Sequence, residues 1–259
     1  MPSKKVLDRE KSSRAVIAAA ESHAGEIAAG ISREFASYLK KGEAMPNVEL
    51  LAMLVARRLK GEIEALVSAD RAHEAELSDD TEPREARDEA AEKVRVTLVD
   101  LRDAISTAYG AVGLNALGLA GSIPFDPSAI KSLAESVQGT LTASGTALPK
   151  PRRKSVKVDL KGFAADLANE LPALSKALLH VAREEREAKT TLGAKSAAMA
   201  SHDRIFSRSA GLLSALALSG ELENIAGTVR PSARRSGRTA VEEEQEGGAA
   251  EEQTGEVPQ

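Results

Sequence analysis

Small and apolar residues return at steps of three and four along most of this chain, and that period decides the class of fold open to it. Between residues 12 and 41 the series is Ile17, Ala20, Ala24, Ile27, Ile31, Phe35 and Tyr38. Between 47 and 78 it is Val55, Leu59, Ile63, Leu66, Asp70, His73 and Leu77. A third series reads Val94, Leu98, Leu101, Ile105, Ala108 and Val112, and a fourth Ile130, Leu133, Val137 and Leu141. Beyond residue 160 it resumes as Phe163, Leu167, Leu171, Leu174, Leu178 and Val181 and keeps phase through Ala188, Leu192, Met199, Phe206, Leu213 and Leu216. This is the stripe of one-sided helices, because positions three and four apart share a helix face while a strand alternates every second residue. The fold class predicted is therefore all-α. Aromatic residues make up only 2% of the 259 residues, with no Trp, so the core is built from small aliphatic side chains that let helices approach closely. The architecture expected is an elongated bundle of two long antiparallel helical hairpins, bridged by short helices and followed by a disordered acidic C-terminal tail.

Turn chemistry divides the stripes. Gly42 and Pro46 end the first, and Ser78-Asp79-Asp80-Thr81-Glu82-Pro83 supplies cap residues and an early proline for the third. Asp126-Pro127 opens the fourth in the same way. Residues 1–11 read as a flexible N-terminus, 12–145 as a helical hairpin with bridging helices, 146–158 as a basic linker, 159–230 as long C-terminal helices and 231–259 as a disordered tail. Pro172 predicts a kink or a break, since proline removes a backbone donor and crowds the preceding turn. Unbroken phase favours a continuous helix from about 174 to 219, whereas Thr190-Thr191-Leu192-Gly193 favours a turn. Two stretches, residues 114–121 and 213–220, share the pattern L-x-A-L-x-L-x-G, each closing a stripe with glycine; duplication and compositional coincidence both fit.

The absence of Cys excludes disulfides, thiolate metal sites and cysteine nucleophiles. No run of 18 apolar residues and no signal-type N-terminus occurs, so a soluble cytoplasmic protein without a membrane span is expected. The formal net charge of −4 is segregated, with Glu242, Glu243, Glu244, Glu246, Glu251, Glu252 and Glu256 following a basic run.

Few residues invite chemistry. Asp70 and His73 have the i, i+3 spacing of a bundle metal site and share a seam, but the second carboxylate–histidine pair such a site needs is missing. They stand as weak metal candidates only. His180 and Glu184, amid Arg183, Glu187 and Lys189, fit an exposed face with i, i+4 pairs. Ser201-His202-Asp203 is no triad, because a triad is a spatial arrangement and not a sequential one. The glycine-rich stretch lacks the Lys-Ser/Thr of a phosphate loop. Arg152, Arg153 and Lys154 in the linker, and Arg230, Arg234, Arg235 and Arg238 ahead of the tail, are candidate anion-binding residues. The acidic balance and the scarcity of stacking aromatics weigh against nucleic acid. Neither a cofactor nor a small-molecule substrate is inferred. The function expected is that of a non-enzymatic structural or adaptor protein working through protein contacts or self-association, helped by Ala24, Ala28, Ser32 and Ala36. A nucleic-acid-associated protein using 150–157 and 230–238 is the first alternative, and a metal-binding bundle the second.

Overall fold

A computed structural model describes residues 3–79, 81–143, 148–152 and 156–242. Among them the chain is helical with no strand, as the periodicity predicts. In chain order the helices are α1 (Lys4–Phe35), a 3₁₀ turn (Ala36–Tyr38), α2 (Val48–Asp79), α3 (Thr81–Ala116), α4 (Pro127–Thr142), α5 (Leu160–Ser219) and α6 (Glu223–Val229). The chain forms two compact units, Met1–Ala75 with Thr190–Gln259, and Glu76–Lys189. The boundaries thus fall inside α2 and α5 and not at the basic linker, which belongs to the second unit. Linker composition marks where a chain leaves a helix, whereas a compact unit is set by which stripes share a core.

In the first unit, Val16, Ala20 and Ala24 of α1 meet Ala52, Ala56 and Leu59 of α2 and Phe206, Ala210 and Leu213 of α5. Alanine at so many contact positions is what closely approaching helices require. The limit is reached where Gly30 meets Gly220: a β-carbon on Gly30 would lie 2.6 Å from the Gly220 carbonyl oxygen. Ala24 is therefore spent on internal packing, 3% exposed in this core. Helix α6 caps the unit, with the Ser214 hydroxyl donating to the Ala226 carbonyl at 3.1 Å.

The second unit packs α3 and α4 against the first part of α5. Val94, Leu98, Leu101 and Ile105 interleave with Ile130, Ala134 and Val137 and with Leu167, Leu171 and Leu174. Asp126 caps α4 by accepting from the Ser128 and Ala129 backbone N–H groups at 3.0 and 3.2 Å, with Pro127 leading the helix. Gly110, at φ 68° and ψ −158°, interrupts α3 and turns its stripe, which is why Val112, in phase by spacing, is exposed.

Several expectations are corrected. The flexible N-terminus is helix from Lys4 onward, with Val6 fully buried. Pro172 does not break α5, and the Thr190–Gly193 stretch is helical too. Pro172 and Ala168, whose carbonyl loses its partner, are both exposed, so solvent serves the freed group. The two L-x-A-L-x-L-x-G copies differ in backbone. The first turns at Gly118 (φ 70°), with the Leu119 N–H returning to the Leu114 carbonyl at 2.8 Å. The second stays helical to Ser219 and turns at Glu221. Equal patterns thus occupy unequal structures. Finally, residues 231–242 of the expected tail fold back on α1, whereas 243–259 lie outside the described residues. Pro231 and Thr239 form an antiparallel bridge, and Thr239 is buried.

Candidate functional site

The first unit holds an internal polar seam that the stripes only half disclose. Asp70 and His73 sit on the α2 seam as predicted, both buried, and each meets a side chain of α5. The Lys195 ammonium lies 2.6 Å from the Asp70 carboxylate, and Ser3 donates to it from its backbone N–H at 3.0 Å and its hydroxyl at 3.2 Å. Burial raises the Asp70 pKa, but the Lys195 hydrogen bond and charge and the Ser3 donors outweigh it, and the net shift is downward. Lys195 occupies the place a cation would take. His73 instead meets the Thr191 hydroxyl through Nδ1 at 3.0 Å.

Two helical turns beyond Lys195 on α5, Ser201, His202 and Asp203 part company. The Ser201 hydroxyl donates to Glu62 at 2.9 Å, while His202 Nε2 lies 2.7 Å from the hydroxyl of Ser13 on α1. His202 Nδ1 is 3.2 Å from Asp203, and Arg9 grips Asp203 through Nε at 2.7 Å and Nη2 at 2.8 Å. A proton on Nδ1 satisfies both ring contacts, donating to Asp203 and accepting from Ser13. This is a spatial Ser–His–Asp chain, built with a serine that sequence reasoning missed because it stands 189 residues away. It lacks the means of acyl transfer. Ser13 and His202 are fully buried, and the backbone N–H groups beside Ser13 belong to the α1 ladder, so none is left to hold an oxyanion. Asp203 is held at a pKa of about 2: burial opposes the shift, and the Arg9 and His202 hydrogen bonds and the Arg9 charge overcome it.

The C-terminal segment closes over this chain. Arg238 pairs with Asp8, Glu242 accepts from the Ser12 hydroxyl, and Gly237, at φ 74°, lies directly against Asp203 and Arg9. Arg238, one of the candidate anion-binding residues, thus already has a carboxylate partner. In the second unit Arg152 is anchored as well, its N–H donating to the Ala108 carbonyl at 2.8 Å and its guanidinium lying over Gly110, where a β-carbon would collide with it. Arg230, Arg234 and Arg235 are exposed, and Arg153 and Lys154 lie outside the described residues.

Among the described residues, one carboxylate cluster has the spacing of a cation site. Oxygens of Glu76, Glu184 and Glu187 lie within 4.8 Å of one another in the second unit. Its charge is already answered in part by Arg183 on Glu187 at 2.9 Å, and His180 lies beside Glu184 at 3.3 Å. Sequence reasoning found the two i, i+4 pairs on α5 but not Glu76, whose stripe gave no reason to face them.

One concavity of the first unit gathers exposed aromatic and aliphatic side chains. At the end of α1 in the first unit, Phe35, Tyr38 and Leu218 line a concavity of about 440 Å³ together with Glu34, Ser219 and Glu221. Tyr38 is 80% exposed, Leu218 56% and Phe35 47%. Phe35 and Tyr38 extend the α1 stripe by spacing, but the backbone leaves the α-helix at Ala36, and the two rings face solvent. No helix among the described residues is long and apolar enough to cross a membrane. No protein family, curated protein or solved structure matches this chain.

Proposed function

We propose that the protein is a non-enzymatic helical adaptor that docks other proteins through the concavity of Phe35, Tyr38 and Leu218. The observation that carries this reading is the exposure of two of the chain's six Phe and Tyr residues beside an exposed leucine on one concave surface. Water contact with such rings is costly, and tyrosine and phenylalanine are favoured anchors of protein interfaces, giving large contact area for few rotatable bonds. The polar clusters support the same reading from the other side. Asp70, Ser13 and His202 are buried and hydrogen-bonded, and the half-buried Asp203 is held by Arg9, so they serve rigidity. A rigid helix end is a suitable platform, since binding then orders only the partner.

A photo-crosslinking side chain placed at position 38 tests the reading in cells. Discrete protein adducts are expected there and not at Lys161, an exposed position of the second unit. Leu218→Ser should diminish the adducts from position 38 without changing the helical circular dichroism. Equal adducts at both positions would remove the docking role.

A further inference from the structure

The concavity has an acidic rim, and that rim specifies what the docked segment must carry. Glu34 comes from the last turn of α1 and Glu221 from just beyond α5, and no basic side chain lines the space between them. Neither carboxylate takes part in an ion pair or side-chain hydrogen bond among the described residues.

Glu221 is also held at a cost. Its φ of 60° is the one positive value of a non-glycine residue among those described. The turn that ends α5 creates the requirement: the Glu221 N–H returns to the Leu218 carbonyl at 3.1 Å and the Leu222 N–H to the Ala217 carbonyl at 2.9 Å, leaving Glu221 in the left-handed position glycine usually fills. A glycine stands one residue earlier, but Gly220 spends its missing β-carbon on the approach to Gly30. Glycine at 221 would relieve the strain. A strained residue with a free charge beside the exposed Phe35, Tyr38 and Leu218 points to a use for that charge.

We infer that the concavity receives a protein segment presenting an apolar anchor flanked by lysine or arginine. This inference rests on the docking role proposed above and adds the chemistry of the partner. The anchor packs on Phe35, Tyr38 and Leu218. The neighbouring cation sits between Glu34 and Glu221, where the exposed Tyr38 ring adds a cation–π face. Acidic partners are rejected by the same two carboxylates, which gives the surface selectivity as well as affinity.

Two synthetic amphipathic helical peptides test this against the full-length protein by fluorescence anisotropy, with leucine anchors in common and flanking residues all lysine in one and all glutamate in the other. The lysine peptide is expected to bind, more weakly as salt rises, and the glutamate peptide not to bind. Glu34→Gln with Glu221→Gly should weaken the lysine peptide about tenfold, while Glu221→Gly alone raises the melting temperature and still weakens binding. A merely structural Glu221 would move the melting temperature only. Equal binding of the two peptides, no binding of either, or no loss in the double variant overturns the charge inference. Lysine-peptide binding indifferent to Tyr38→Ala overturns the docking surface itself, so the two failures are distinguishable.

Discussion

At the scale of single residues, the polar groups of the first unit show how much stability hangs on pairing. Asp70 is 1% exposed at its side chain and Lys195 13%, so each charge has given up most of its water for the other. Removing one partner leaves an uncompensated buried charge, which costs far more than the pair itself contributes. Lys195→Met should therefore lower stability by about 3 kcal/mol in urea unfolding at neutral pH. Asp70→Asn combined with Lys195→Met should recover most of that loss; a double variant as unstable as the single would mean that packing, not charge, set the cost. Asp203 gives a pH dependence of defined sign. Its pKa falls from an ordinary 3.8 to about 2 on folding, so the contribution is fully present above pH 4 and disappears as the pH falls toward 2. The shift corresponds to about 2 kcal/mol. Asp203→Asn should flatten this part of the acid limb relative to the parent, and an unchanged acid limb would show that Arg9 gains nothing from the carboxylate.

At the scale of elements, glycine positions separate helix propensity from helix contact. Gly25 faces open space on α1, whereas Gly30 faces the backbone of Gly220. Gly25→Ala should stabilise by up to about 1 kcal/mol through propensity alone, and Gly30→Ala should destabilise by about 1–3 kcal/mol because α1 must move away from the α5 terminus. Thermal unfolding of the two variants measures both, and the same sign for both would deny the close approach. The contrast also marks what was legible in the sequence. The stripes identified the helices and most of the buried seam, Leu59, Leu66, Leu98 and Phe206 among them, because burial on one side imposes a period. Periodicity says nothing of where a facing partner ends, so Phe35, Tyr38 and Val112 were in phase and yet exposed. Nor does it pair residues far apart in the chain: Asp70 and His73 were recognised as seam residues, but Ser3, Lys195 and Thr191, which satisfy them, carried no local signal. The glycines of the two L-x-A-L-x-L-x-G stretches were legible as special and misassigned in role. One glycine of the first supplies a left-handed turn, and the last glycine of the second a missing side chain.

At the scale of the molecule, the C-terminal segment shows why composition misled. Residues 231–242 offer little to bury, and a segment so polar is expected to stay solvated. What holds it is a set of specific polar and backbone contacts: Arg238 on Asp8, Glu242 on Ser12, the Ser232 N–H on the Arg238 carbonyl at 2.8 Å and the Ala240 N–H on the Arg230 carbonyl at 2.9 Å. Thr239, 2% exposed, is buried in this segment together with Gly237. The candidate anion-binding arginines of this segment are not equivalent, since Arg238 is held by a carboxylate of α1 from the other end of the chain. A chain ending at Gly237 loses all of these contacts at once and opens the Ser13–His202–Asp203 seam to water. Its stability should fall by about 1–3 kcal/mol, which for a chain of this size is a drop of roughly 2–12 °C in melting temperature. Arg238→Ala should reproduce part of the drop, and Asp8→Ala combined with it should add little, because the two changes remove one shared contact. Calorimetry of the three proteins decides the matter. A melting temperature unchanged by the truncation would return residues 238–242 to the solvated tail that their composition predicts, and additive losses in the double variant would break the link between Arg238 and Asp8.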